Sequence, residues 1–342
     1  MILFRADDLH ATATRIFRAA GADPQPTSVL VDHLIDANLA GHDSHGVQHI
    51  PGYVRAVQDG RIQPNAVPLV MRETPVSALV DGQFTFGQIS ARVGTEVAIA
   101  KAKAAGVAAV GVVRCTHIGR LGTYSTLAAQ NGVVLMVTIG AMLSATAPFG
   151  GRKPVFGTNP FSFGFPAGER PDVMIDFATS TIAAGKVALA QAKHEPVPPG
   201  CLLDQDGNPT TDPAAFSNGG MLLPFGGHKG SALATLAALL SQVLVPAAET
   251  GGGQPQTGTF IVGIDAGIFR DRSDVEAETD QVIDRIKAVP PAVGFTEVMV
   301  SGEPELRTAA RRREEGIPIP EDTWTAIVAT AQSLGVEIPT TA

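Results

Sequence analysis

Cysteine is scarce in this 342-residue chain, with only Cys115 and Cys201 present. A disulfide framework is thereby excluded, and two thiols so far apart in sequence read as reduced, which points to a cytoplasmic setting. Basic residues are outnumbered, 25 against 33 acidic, for a net charge of −8. A nucleic-acid binder normally shows a basic face, whereas the one dense basic run, Arg311-Arg312-Arg313, is followed at once by Glu314-Glu315. Long hydrophobic runs are missing too. The most apolar stretch, Ala232 to Ala248, carries Ser241, Gln242 and Pro246 and reads as a buried helix rather than a membrane span. The N-terminal Met-Ile-Leu-Phe meets Asp7 and Asp8 before an apolar core of a leader forms, so no signal peptide is expected. Three catalytic signatures are also absent. There is no Gly-x-Gly-x-x-Gly between strand and helix, no P-loop, and no Gly-x-Ser-x-Gly elbow. A Rossmann dinucleotide site, a P-loop NTPase and a serine hydrolase therefore lack a foothold.

What the chain does have is apolar mass. Hydrophobic residues make up 44% and charged residues 17%, the balance of a well-buried globular protein rather than a disordered one. The 37 glycines and 25 prolines are spread along the chain, as turn formers would be. Residues 5–21 and 27–41 read as amphipathic helices, with Leu30, Val31, Leu34, Ile35 and Leu39 on one face and Gly41 as a stop. A polar turn, His42 to Gly46, leads into a short helix through Tyr53 and Val57. Strands are expected at 77–80, 107–113, 133–139, 173–177, 260–264 and 297–300. Helices are expected at 91–105, 123–130, 229–245, 274–287, 303–313 and 324–334, and an exposed loop at 249–259. With no internal repeat, the class is α/β or α+β.

Two glycine turns, Gly119-Arg120-Leu121-Gly122 and Gly226-Gly227-His228-Lys229-Gly230, open helices, and a helix start suits an anion. Two of the eight histidines sit in turns dense with glycine and small polar residues: His45, in Asp43-Ser44-His45-Gly46, and His117, in Cys115-Thr116-His117-Ile118-Gly119. Reduction of a carbonyl requires a proton donor with a pKa near neutrality, and imidazole meets that without a large shift. Each histidine could equally serve only to hydrogen-bond its own turn. His42, His45 and His49 have ligand-like spacing, but Gly41 and Gly46 interrupt a helix there and no further cluster completes a tetrahedral set, so no metal is expected. Asp176-Phe177-Ala178-Thr179-Ser180 reads locally as a capped strand-to-helix turn.

Taken in order, several segments resemble the malate/L-lactate dehydrogenase-like family over nearly the full chain. They are Ala37 to Gly46, Thr116 to Tyr124, Pro148 to Gly151 with Gly157 to Pro160, Asp176 to Ser180 with Gly185-Lys186, Pro198 to Gly200 with Asp204, Gly227 to Gly230, and Ser301 to Glu305 before Gly316-Ile317-Pro318. His42-Asp43-Ser44-His45 with Pro198 to Leu202 and Gly157 to Phe161 is most similar to its hydroxycarboxylate dehydrogenase B branch. The resemblance implies the family's own α/β (α+β) fold, with a non-Rossmann cofactor domain built on a mixed sheet. The organisation it implies is an N-terminal helical, substrate and dimer region over 1–75 and a central cofactor-binding region over 76–310, its core at about 115–255. A C-terminal helical segment over 311–342 would pack on the N-terminal region.

It implies a nicotinamide-dependent oxidoreductase interconverting a small 2-oxo acid and its 2-hydroxy acid, acting as a homodimer, with NAD(H) favoured over NADP(H). Cyclic imine acids as substrates, and an inactive nicotinamide-binding relative, are the alternatives. By motif matching, the cofactor would contact His45, Gly119, Arg120, Leu121, Met174, Ile175, Asp176, Phe177, Ala178, His228, Lys229, Gly302, Glu303, Pro304 and Glu305. The proton would pass through His45 or His117, and Ser44, His49, Tyr53 and Arg120 would face the substrate. Two departures stand out. Many members carry arginine at the place of His49, and Ala141-Met142 lacks the Asn or Ser often found there.

Overall fold

The structure, a computed structural model, describes residues 1–142, 145–247 and 257–338. Its centre is a seven-stranded sheet in the order Leu69–Thr74, Ser77–Asp81, Val107–Cys115, Thr257–Asp265, Val133–Gly140, Phe161–Phe165, Val173–Phe177. Only Ser77–Asp81 and Val107–Cys115 run parallel, and every other neighbouring pair is antiparallel. The parallel pair is joined by the helix Gly87–Ala105, as a parallel connection requires. A sheet with one parallel pair is mixed, and it differs from the parallel doubly wound sheet of a Rossmann domain.

Both faces are covered over the central strands, which therefore bury both sets of their alternating side chains, while the edge strand Leu69–Thr74 stays exposed. On one face Ala108, Val110, Val112, Val133, Leu135, Val137 and Ile261 pack under Ala91, Ala98 and Ala102 of the helix Gly87–Ala105 and Tyr124 and Ala128 of the helix Gly122–Gln130. On the other, Val113 and Phe260 meet Val245 and Leu240. Those two residues belong to the segment following the helix His228–Ala238, where a π-helical turn, Leu239–Leu244, takes over from the single helix expected to Val245.

A second core joins the two ends of the chain. Ile2–Phe4 pairs antiparallel with Ile317–Ile319. The helices Ala6–Ala19, Pro24–Leu39, Ile50–Gln58 and Glu321–Ser333 enclose Phe17, Leu30, Leu34, Ile50, Val54, Phe86 and Ile327. A small three-stranded sheet, Leu202–Leu203, Pro209–Thr210 and Met221–Leu222, shares a separate apolar cluster with Val187 of the helix Ala184–Lys193. Residues 297–300 are not a strand. Glu297 pairs with Arg307, and the Val300 N–H is taken by Glu303 Oε2 at 3.1 Å, so this stretch serves the start of the helix Glu303–Glu315 instead of a sheet edge. Of the expected loop at 249–259, positions 249–256 lie outside the described residues, while Thr257 already belongs to a strand. Among the described residues no helix is long and apolar enough to cross a membrane.

Candidate active site

The helix Pro24–Leu39 ends where Gly41, at φ +86°, lets the chain reverse. The Gly41 and His42 N–H groups donate to Asn38 and Ala37 carbonyls, a Schellman-type stop. Two 3₁₀ turns follow, Asp43–His45 and Val47–His49, organised by the Asn38 side chain. Its Nδ2 donates to Asp43 Oδ1 at 2.6 Å, and its Oδ1 accepts from the Val47 N–H at 2.8 Å. Arg312 then grips both Asp43 oxygens, at 2.7 and 3.0 Å. Planar, bidentate recognition of this kind needs arginine.

The second turn follows the strand Val107–Cys115 and is shaped by close approach. A Cβ on Gly87 would lie 2.3 Å from the His117 carbonyl oxygen, and one on Gly119 only 2.2 Å from His33 Nε2. His33 Nε2 accepts the Arg120 N–H at 3.0 Å, so its proton sits on Nδ1. Burial, with the charges of Arg120 and His45 behind it, pushes the His33 imidazole down to about 3 and keeps it neutral.

The two turns meet ring to ring. His45 and His117 are stacked with centroids 5.8 Å apart, and His49 lies 4.7 Å from His117 and 5.3 Å from Tyr53. The Tyr53 hydroxyl is 2.6 Å from His117 Nδ1 and accepts from Gln88 Nε2 at 2.8 Å. Ser44 Oγ is 3.0 Å from His45 Nδ1, and His49 Nε2–H donates to the Ser44 carbonyl at 2.8 Å. His117 is an exposed residue, yet protein crowds its imidazole. That crowding, then the charges of His49, His45 and His33, holds it well below the ordinary imidazole value. Burial likewise brings His45 down to about 4 and pushes the Tyr53 phenol up. With one nitrogen of His117 engaged by Tyr53, the other is left for a ligand.

Beside this cluster lies a cavity of about 620 Å³, lined among others by His33, Asp36, Gln88, Arg120, Met174 and Glu305. Arg120 is buried there. Its Nη1 donates to Asp36 at 3.1 Å and its Nη2 approaches Met174 Sδ at 3.9 Å, while its Nε, also buried, has no partner. Asp176 accepts the Gly122 N–H at 2.7 Å, and burial raises its carboxyl. The chain's own carboxyl thus takes one of the N–H groups at this helix start.

The structure thus gathers His45, His117, Ser44, His49 and Tyr53 into one cluster. Arg120, Met174, Gly302 and Glu305 line the adjoining cavity, and Leu121 is buried in the turn leading to it. His42 ties the two regions by donating to Glu305 Oε1 at 3.2 Å. Ile175 is exposed on the same strand, and Phe177 packs edge-on against Phe225 at 5.8 Å. His228 and Lys229 are exposed at the start of their helix, behind a turn whose Phe225 N–H bonds to the Thr179 carbonyl, next to Ala178. Glu303 is taken up by Lys287 at 2.5 and 2.8 Å, and Pro304 is exposed. Sequence reasoning missed Gln88, His33, Asn38 and Arg312. No local pattern marks Gln88, His33 and Arg312, because each acts through a partner distant in sequence, whereas Asn38 acts on the turn that directly follows its own helix.

Comparison with known proteins agrees with this architecture. A family model described as malate/L-lactate dehydrogenase matches residues 4–328. Hydroxycarboxylate dehydrogenase B of Escherichia coli (strain K12) is 37% identical over 344 residues, covering 97% of this chain and 94% of its own. Delta(1)-pyrroline-2-carboxylate reductase of Ancylobacter novellus is 33% identical, with 96% of each chain covered. The solved structure of sulfolactate dehydrogenase from Methanocaldococcus jannaschii superposes with a TM-score of 0.89 at 31% identity, covering 98% of both chains. A match across nearly the whole length, on the same mixed sheet, leaves no doubt of kinship: the chain belongs to the malate/L-lactate dehydrogenase family.

Proposed function

We propose that this protein interconverts a small 2-oxo acid and its 2-hydroxy acid with NAD(H), His117 serving as the proton donor and acceptor. The observation that carries this reading is the engagement of His117 Nδ1 by Tyr53 at 2.6 Å, which leaves Nε2 of this exposed residue for the substrate oxygen. His45 is the other candidate, but its Nδ1 meets only the Ser44 hydroxyl, a weaker orienting group.

The residues present suit a nicotinamide dinucleotide. The cavity of about 620 Å³ falls in the range of roughly 300–1,000 Å³ usual for small-molecule sites, and the buried, unpartnered Arg120 Nε is a donor in want of an acceptor. Arg120, Met174, Asp176 and Gly302 to Glu305 would hold the cofactor, with His45 at its reactive end. NAD(H) rather than NADP(H) is the proposed partner, and comparing KM for NADH with KM for NADPH tests that choice. When bound, the nicotinamide supplies or accepts the hydride at the substrate's second carbon.

The chain's own groups do the rest. In the reductive direction the His117 imidazolium gives its Nε2 proton to the carbonyl oxygen, and in the oxidative direction the neutral ring takes the hydroxyl proton. Crowding favours the neutral ring, and a bound substrate carboxylate opposes that and restores proton affinity. Ser44, His45 and His49 border the substrate, so the carboxylate meets imidazoles where relatives offer arginine.

The homodimer belongs to the same proposal. It is supported by exposed apolar side chains such as Val243, Leu244 and Phe295, and light scattering would show twice the chain mass.

A screen of NADH oxidation across 2-oxo acids, from pyruvate to oxaloacetate and phenylpyruvate, is the test. Turnover on at least one is expected, and His117→Ala should lower it by roughly 10² to 10⁴. Faster reduction of a cyclic imine acid would move the assignment to C=N reduction. Cofactor binding with no turnover on either class would mark an inactive relative.

A further inference from the structure

The hydrogen-bond chain behind His117 has a direction, and the direction observed is the wrong one for proton transfer. Gln88 Nε2–H donates to the Tyr53 hydroxyl oxygen at 2.8 Å. Tyr53 then has its single proton to give to His117 Nδ1, 2.6 Å away. A neutral His117 in that arrangement carries its proton on Nε2 and cannot take one from a hydroxy acid there. Both working forms require the opposite. The imidazolium has protons on both nitrogens, and the neutral ring left after Nε2 gives up its proton keeps the one on Nδ1. In either form Nδ1–H must donate to the Tyr53 oxygen, and the Tyr53 proton needs a different acceptor.

One acceptor stands ready. Gln88 Oε1 is buried and has no hydrogen-bond partner, and Gln88 is only 1% exposed, so water does not reach it. A half-turn of the amide exchanges Nε2 for Oε1 at Tyr53. Each orientation satisfies the tyrosine and leaves the other amide atom unpartnered, so the two are closely balanced. Burial keeps Tyr53 itself protonated throughout.

We propose that Gln88 is a positioning residue whose amide orientation sets the tautomer of His117: with Oε1 turned to Tyr53, Tyr53 donates to Gln88, Nδ1–H of His117 donates to Tyr53, and the chain keeps that direction through both working forms. Nδ1 takes its proton from water when the ring swings off Tyr53, and a ring that stays neutral returns one to water from Nε2. Thereafter the proton exchanged with substrate moves only through Nε2, and Tyr53 keeps its own proton and changes only which neighbour it faces. The inference rests on His117 as the acid–base group, but its first test does not depend on turnover. The other groups facing His117 are His33, His45 and His49, and they stay in place in every variant used.

Ring nitrogens of His117 are followed by NMR in protein labelled with ¹⁵N-histidine, assigned by loss of the signal in His117→Asn. In the wild type, neutral His117 should show protonated Nε2. In Gln88→Glu the side chain accepts only, so protonated Nδ1 should prevail, and the titration midpoint should rise by about one pH unit or more. In Gln88→Leu, Tyr53 has only Nδ1 to donate to, and the midpoint should fall. The shift in Gln88→Glu should vanish when Tyr53→Phe is added. An unchanged tautomer and midpoint in Gln88→Glu would overturn the proposal, as would a shift that survives Tyr53→Phe, which would make the effect a through-space charge. Should Gln88→Leu fold poorly, the comparison of Gln88→Glu with wild type decides alone. Where turnover is present, Gln88→Leu should lower kcat by roughly 10- to 100-fold with KM within about threefold. Absent turnover with the tautomer shift intact would sink the assigned reaction and leave the relay standing.

Discussion

The two turns that bring imidazoles together are held by opposite means. The turn from His42 to His49 is clamped by polar groups: Asn38 on one side, and Arg312 reaching across the fold to Asp43 on the other. The turn from Thr116 to Gly122 is held by fit. Its backbone presses on Gly87 and its Gly119 on His33, and polar ties such as Thr116 Oγ1 to the Thr85 carbonyl at 3.0 Å and Arg120 to Asp36 at 3.1 Å add to that fit. A polar clamp weakens by degrees, because water and salt replace part of it. A steric fit fails abruptly, because backbone atoms have nowhere to go.

The largest effect should therefore come from the second turn. In Gly87→Ala the new methyl would lie 2.3 to 2.6 Å from backbone atoms of Thr116 and His117, and the loop must move. A loss of about 3 kcal/mol or more is expected in urea unfolding, with turnover reduced at least 100-fold because His117 leaves Tyr53. Near-wild-type activity in that variant would remove the distinction between the turns.

Arg312→Ala probes the polar clamp and should do less. Arg312 is largely buried and Asp43 about half exposed, so screening trims the bidentate pair to about 1–2 kcal/mol. Turnover should drop several-fold, and high salt should cost the wild type activity while hardly affecting the variant. If salt affects both alike, the ion pair is not what holds His45.

This division also explains what could be read from the chain beforehand. The alternation in Val107 to Val113 and Val133 to Ile139 and the helical spacing in Leu30 to Leu39 are local signals, because two-sided or one-sided burial writes itself into adjacent positions. So are the glycines that close the turns around His45 and His117. Strands such as Phe161–Phe165 and Leu69–Thr74 were passed over. The first is short and glycine-broken; the second is an edge strand, all six residues exposed, with little burial to impose a pattern. Gln88, His33 and Arg312 were invisible for a different reason. Each earns its position from one partner 35, 87 or 269 residues away, and a single chain without its fold holds no trace of such pairs.

Acid should separate the turns again, by degrees as the pH falls. His33, the anchor beneath Gly119, titrates at about 3 in the folded protein against 6.5 unfolded. The unfolded chain thus takes up a proton first as pH falls. Stability should be unaffected above about pH 6.5 and decline below it by ~1.4 kcal/mol per pH unit until His33 itself titrates near 3. His33→Gln keeps an acceptor for the Arg120 N–H and has no proton to gain, so its unfolding midpoint should depend less steeply on pH over that window. Equal slopes in the two proteins would mean that His33 is not the group being charged.

The smallest expected change lies at His49, where the polar turn would meet the proposed substrate. Its Nε2–H is committed to the Ser44 carbonyl and its ring stacks on Tyr53, and burial lowers its proton affinity, so at neutral pH it offers a carboxylate no full charge. His49→Arg would place a permanent cation there, at the loss of one backbone hydrogen bond on the turn that the Arg312 clamp still secures. A net gain near 1 kcal/mol for a charged hydrogen bond corresponds to KM for the preferred 2-oxo acid falling by about fivefold. The same cation stands beside His117, 4.7 Å away in the present ring geometry. It should disfavour the imidazolium, so that the limb of the reductive pH profile moves to lower pH as KM falls. A fall in KM together with a shift of that limb to lower pH would place the carboxylate and the proton donor on adjoining sides of one cluster. A KM that does not respond would show that the carboxylate is received elsewhere, and that His49 serves only to hold its turn against Tyr53.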